Sequence, residues 1–259
     1  MTYEQALKYL ESLGKFGIQL GLDRIRKLLQ CMGNPEQKFK SIHVAGTNGK
    51  GSTTAMISSI LNAAGIKTGM YTSPHLTEYT ERIMINGQQI TKSKFAAAIN
   101  HTSRFVDQMT TDGWEHPTEF EILTAAAFYC FAAAGLDYVV VETGLGGLLD
   151  STNVIRPEIS VITNVALDHT DRCGNTVREV AIHKAGIIKD EIPVITAAQG
   201  DAMEVIASTA ERRLSPLYVL GRDFKAGWQG IVNGKQRVTV CIPSLGMSRI
   251  YLVNLLGVH

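Results

Sequence analysis

The chain has 259 residues, 45% of them hydrophobic and 19% charged, with a formal net charge of +1. That composition suits one large α/β domain or one and a half ordinary ones, and so even a charge excludes a basic nucleic-acid footprint. The longest apolar run, residues 124–135, falls short of the ~20 residues that a bilayer span needs, so no membrane segment is expected.

In chain order, Thr2 and Gln5 form a capping-box pair that opens a helix over residues 3–13. Residues 14–21 read as a loop. Leu22, Ile25, Leu28, Leu29 and Met32 then recur at helical spacing until Gly33, so residues 1–38 read as an N-terminal helical segment. Residues 39–222 alternate: strands are predicted at 40–45, 67–72, 137–142, 159–165, 193–197 and 217–220, and helices at 52–63, 93–110, 118–134, 176–187 and 201–213. Thr118 with Glu121 and Thr176 with Glu179 repeat the capping-box pattern, and residues 82–88 read as a small hairpin around Asn86-Gly87. The alternation implies a doubly wound, mostly parallel sheet covered on both faces. Residues 223–254 carry β-like runs without a helix and are predicted to add an antiparallel edge to that sheet. Cys31, Cys130, Cys173 and Cys241 lie far apart without a metal-binding spacing, and the N-terminus lacks a signal-peptide layout. Reduced thiols in a cytoplasmic protein are expected.

The most informative stretch is Gly46-Thr47-Asn48-Gly49-Lys50-Gly51-Ser52, set between the strand predicted at 40–45 and the helix predicted at 52–63. Glycines let the backbone wrap phosphate oxygens, a helix N-terminus aims N–H groups at them, and Lys50 supplies a point charge. The pattern departs from the standard P-loop: the first glycine sits too close to the Gly-Lys pair, and Gly51 intervenes before Ser52. Open parallel sheets bind ligands beyond the carboxyl ends of their strands. Ser73 follows the second predicted strand, Glu142 closes the third and Asp168-His169 follow the fourth. Ser73 also suits a turn before Pro74, Glu142 a helix cap and Asp168-His169 a loop pair, but together they make a Mg²⁺ site, which takes hard oxygens and substrate phosphates.

The ordered segments HVAGTNGKGS, YTSPHL, ERI, PTEFE, VETGLGG, LDSTNVI, ITNVALDHT and HKAGIIK resemble the folylpolyglutamate synthase/dihydrofolate synthase family of the Mur ligase superfamily over essentially the whole chain. The resemblance implies a sheet of P-loop NTPase-like topology and an ATP-dependent, ADP-forming ligase that joins L-glutamate to a folate or dihydropteroate through an acyl phosphate. Gly46 to Thr53 would hold the nucleotide, with Lys50, His169 and Lys184 catalytic. Two Mg²⁺ ions would be held by Ser73 and Glu142 and by His169, and Lys184 would approach the second as a CO₂-derived carbamate. Pro74, His75, Phe120 and Asp150 would face the folate, although Phe120 also suits a helix core. A monomer without nucleic-acid or membrane partners is implied.

Three positions depart from the family pattern: Leu148 stands where it has arginine, His183 where it has an acidic residue, and Cys173 where an apolar residue is common. Residues 255–259, LLGVH, resemble the opening of the G-x-H-Q motif that leads into the family's C-terminal domain, so that domain is expected to be missing. Two readings follow: the Mg-ATP and folate side of a ligase, without ligase activity of its own, or a truncated, non-catalytic nucleotide- or folate-binding module. An unrelated P-loop kinase fits the offset Gly51-Ser52 poorly.

Overall fold

The computed structural model describes residues 1–17, 19–168 and 170–254. Its helices are α1 (Tyr3–Ser12), α2 (Asp23–Cys31), α3 (Lys50–Ala63), α4 (Lys92–Thr111), α5 (Glu119–Ala133), the short α6 (Thr170–Cys173), α7 (Val177–Ala185) and α8 (Gly200–Arg212). The strands are β1 (Lys40–Ala45), β2 (Thr68–Tyr71), β3 (Ile83–Ile85), β4 (Gln88–Gln89), β5 (Tyr138–Glu142), β6 (Ile159–Ile162), β7 (Val194–Thr196), β8 (Leu217–Val219), β9 (Lys225–Val232), β10 (Lys235–Ile242) and β11 (Met247–Val253). All three expected capping boxes close in both directions, at Thr2, Thr118 and Thr176.

The main sheet has the order β4-β3-β2-β5-β1-β6-β7-β8. From β2 to β8 every pairing is parallel, and the β3-β4 hairpin adds the antiparallel edge beside β2. The four strands expected to deliver chemistry, β2, β5, β1 and β6, are immediate neighbours, so their C-terminal loops form one continuous row. Ile42, Val44, Val140 and Val161 pack against Ile57 and Leu61 of α3. Val139, Val141 and Tyr71 join α1, α2, α4 and α5 in the largest core cluster, while Ala45 and Ile162 pack with α7 and α8. Burial of these branched side chains, about 1.5–3 kcal/mol each, holds the layers together.

Residues 225–253 do not extend the main sheet. β9, β10 and β11 pair with one another in a separate antiparallel sheet of order β11-β10-β9. Their β-like runs were legible, but two successive hairpins satisfy each other's backbone groups locally and need no older strand edge. Among the described residues no helix is long and apolar enough to cross a membrane, and the four cysteines are free thiols.

Candidate functional site

The turn after β1 is held by partners in the loop that follows the neighbouring strand β6. Thr47 N–H donates to Asn164 O (3.0 Å), and Asn48 N–H to Asn164 Oδ1 (2.9 Å). Thr163 Oγ1 and Asn164 Nδ2 both donate to Asn48 O, at 2.7 and 3.1 Å. Thr47 Oγ1 bridges to the carbonyl and N–H of Ala166, at 3.1 and 3.0 Å. The packing is close enough that a Cβ on Gly46 would lie 1.9 Å from Thr163 Oγ1. Thr163, Asn164 and Ala166 therefore build the loop. Sequence reading had given them no such role; a run of short polar residues leaving a buried strand beside a glycine-rich turn was the available signal.

Gly49, at φ 77°, caps α3 in the left-handed region without any side-chain cap. The first helical bond in this turn runs from Thr53 N–H to Gly49 O, so the amides of Lys50, Gly51 and Ser52 stand without intrahelical acceptors. The helix starts at Lys50, two residues before its predicted start, which puts the lysine in the first turn. Lys50 Nζ folds back onto Gly46 O (3.0 Å) and Thr47 O (3.3 Å). Lys184, only 3% exposed, donates to the same Gly46 carbonyl at 2.8 Å. Burial, reinforced by the charge of Lys50, lowers the Lys184 ammonium to about 8.

Glu142, 5% exposed, lies close enough to Lys50 to feel its charge. Its Oε2 accepts from Ser73 N–H (3.2 Å) and would stand 3.6 Å from a Cβ on Gly51. Burial raises its pKa, while the Ser73 N–H and Lys50 act against that rise. A buried carboxylate that holds one backbone donor keeps acceptor sites for a hard cation. No group of three or more His, Cys, Asp or Glu side chains suited to a metal occurs among the described residues. His169, expected as a metal ligand and catalytic residue, lies outside the described residues, as do residues 255–259.

Beyond Ser73 lies a cavity of about 440 Å³. Leu13, Leu20, Pro74, Phe120, Leu145 and Leu149 give it apolar walls, and Ser73, Arg82, Glu119 and Asp150 add polar groups. Phe120 stacks on Tyr71 with centroids 6.3 Å apart, and a Cβ on Gly144 would stand 2.5 Å from its ring, so glycine is required there. Asp150 lines the cavity, but both its oxygens already accept: Oδ2 from Leu145 N–H (2.7 Å), Oδ1 from Thr152 N–H (3.0 Å). Of the expected folate-side residues, His75 is the one that does not line the cavity. It accepts from Arg82 Nε (2.8 Å) and packs on Tyr79 (4.3 Å), one step behind the wall. A wider depression around Lys40, Asp137 and Tyr138 lies at the strands' other ends, away from all of these loops.

Leu148 donates its backbone N–H to His183 O (2.7 Å) and leaves its side chain 39% exposed. A Cβ on Gly147 would meet that same carbonyl at 2.7 Å, so the glycines after Glu142 let this loop lie flat on the end of α7.

A parallel sheet whose first strand feeds an uncapped glycine-rich helix start, with two lysines on one loop carbonyl, defines a phosphate-loop α/β domain. More particularly, the chain belongs to the Mur ligase middle domain family, whose model matches residues 44–259. It is similar to the dihydrofolate synthase/folylpolyglutamate synthase of Bacillus subtilis, at 44% identity over 221 residues, 85% of this chain and 51% of that protein. The apo form of Lacticaseibacillus casei folylpolyglutamate synthase superposes with a TM-score of 0.94 at 36% identity, covering 99% of this chain and 63% of that one. An FPGS–AMPPCP–folate complex superposes with a TM-score of 0.88 at 37% identity, over 94% of this chain and 60% of that one. The chain thus spans about half the length of the Bacillus relative.

Proposed function

We propose that this chain forms the Mg-ATP and folate side of an ATP-dependent ligase that adds L-glutamate to a folate or dihydropteroate. The observation that carries this reading is the common wall at Ser73. Its N–H holds Glu142 beside the phosphate loop, and Ser73 also lines the 440 Å³ cavity. A carboxylate presented by a ligand in that cavity would therefore meet a γ-phosphate held on the loop.

In the proposed reaction that carboxylate attacks the γ-phosphorus and displaces ADP. The resulting acyl phosphate is attacked by the glutamate amine, and inorganic phosphate leaves. The free amides of residues 50–52 and the ammonium of Lys50 bind the triphosphate, with Lys50 leaving the Gly46 and Thr47 carbonyls to do so. Ser73 and Glu142 would hold Mg²⁺, which spreads the charge of the transferring phosphoryl group. Lys184 is proposed to carry a carbamate: an amine titrating at about 8 has an appreciable neutral fraction to react with CO₂, and the modification turns a buried cation into a ligand for a second Mg²⁺. Phe120 and Pro74 would flank the pterin ring. A monomer in the cytoplasm fits this role.

Calorimetric titration with Mg-AMPPCP and, separately, with dihydrofolate tests the reading. One site for each is expected. Binding of neither overturns it.

A further inference from the structure

Behind the cavity wall runs a buried polar chain that the site described above does not use. His43 sits in the middle of β1, opposite Val141 in register, and is 0% exposed. Its Nε2 lies 2.8 Å from Thr152 Oγ1, and Thr152 is likewise 0% exposed. The Thr152 hydroxyl and N–H both donate to Asp150 Oδ1, while Leu145 N–H donates to Oδ2. His43, Thr152 and Asp150 thus link the sheet core to the loop carrying Leu145, Leu149, Asp150 and Ser151 into the cavity wall.

Proton counting fixes the direction of the chain. A hydroxyl has one hydrogen, and Thr152 spends it on Asp150, whose ionised form burial opposes and the donors from Thr152 and Leu145 support. Towards His43 it can only accept, so the imidazole donates from Nε2 and its Nδ1 is a bare lone pair. Nδ1 indeed has no partner among the described residues, a vacancy that costs a buried acceptor something on the order of 1–3 kcal/mol. The alternative, a charged ring, is opposed by burial and secondarily by the nearby Lys189 ammonium, which lower the His43 pKa to about 3. Lys189 itself is occupied with Asn153, at 3.0 Å to O and 2.8 Å to Oδ1.

We propose that His43 is a positioning residue for the ligand cavity: as a neutral Nε2–H donor it turns the Thr152 hydroxyl onto Asp150, and the clasped carboxylate holds the 144–151 loop in its wall-forming shape. This inference rests on the functional reading above for the identity of the cavity's ligand, but the state of His43 can be measured without it.

Two measurements on the full chain test it. The first is ¹⁵N NMR of the imidazoles of the wild type, which should show one ring locked as the Nε2–H tautomer and not titrating between pH 5 and 9. An Nδ1–H tautomer, or a His43 that becomes charged in that range, overturns the proposal. The second compares Thr152→Val with Thr152→Ser by titration with dihydrofolate and with Mg-AMPPCP. Loss of a hydrogen bond to a charged group predicts dihydrofolate affinity about tenfold or more weaker in the valine variant. The serine variant, which keeps the hydroxyl, should bind like wild type, and Mg-AMPPCP affinity should stay within about threefold in both. Equal dihydrofolate affinity in the valine variant and wild type overturns the proposal. A valine variant that fails to fold leaves the tautomer to decide it. A wild type that binds no dihydrofolate counts against the functional reading, and the tautomer still judges His43.

Discussion

Replacing Asn164 with alanine should damage nucleotide binding without touching any nucleotide contact. Its side chain makes two bonds to Asn48, accepting its N–H (2.9 Å) and donating to its carbonyl (3.1 Å). At about 0.5–1.5 kcal/mol each, the pair contributes roughly 1–3 kcal/mol to the open shape of the turn. Backbone bonding from Thr47 N–H to Asn164 O and the Thr163 hydroxyl on Asn48 O would survive, so the loop loosens without collapsing. If that order must be restored on binding, affinity for Mg-AMPPCP falls roughly five- to 150-fold, at about 1.4 kcal/mol per decade. Because Asn48 is exposed, the lower half of that range is expected, and the melting temperature should drop by no more than about 2–6 °C. Titration calorimetry gives the affinity, and hydrogen exchange of the amides of residues 46–52 reports loop order. Affinity within twofold of wild type, with unchanged exchange, would refute the idea that the β6 loop shapes the phosphate turn.

Glu142→Gln should abolish the Mg²⁺ dependence of AMPPCP binding, read by titration with and without the ion, while leaving the ligand-free fold at least as stable. The sign follows from its raised pKa: stability present below the unfolded-state pKa is lost as pH rises through the higher folded value. The glutamine variant should therefore melt no lower than wild type at pH 7, and a large drop would contradict this. Lys184→Met tests the other buried charge. Ligand-free wild type with Lys184 unmodified should lose stability as pH falls from 10.5 towards the folded value of about 8, whereas the methionine variant lacks that slope. At pH 7, after loss of the bond to Gly46 O, the variant should be stabilised by about 1–2 kcal/mol; parallel melting curves across pH 7–10.5 would sink the claim. Leu148→Arg should leave the melting temperature within about 1 °C, since the backbone of Leu148 rather than its exposed side chain holds the loop. It should bind Mg-AMPPCP equally or up to about fivefold tighter, as expected of a partly exposed cation near phosphate; weaker binding would show that the leucine itself contributes.

Much of this site could be read from the chain because strand ends are marked locally. Three valines before Glu142 and a glycine turn after Val44-Ala45 announce buried strands and their loops. The parallel-sheet rule then places those loops on one edge, and the observed neighbours β2, β5, β1 and β6 agree. Contacts between segments far apart in sequence were not legible. Nothing local says that Asn164 holds Asn48 or that Lys184 reaches Gly46 across the fold. The β9-β11 unit shows the same limit: β propensity identifies strands, but not whether they pair with one another or with the main sheet.

The central claim is that loop, metal pair and cavity form one reaction path through Ser73. Crystals of this chain grown with Mg-AMPPCP and dihydrofolate test it most directly. Phosphates are expected on the amides of residues 50–52, with Lys50 moved off Gly46 O, Mg²⁺ between Ser73 and Glu142, and the folate ring beside Phe120. Nucleotide bound elsewhere, or a metal that ignores Glu142, would contradict it.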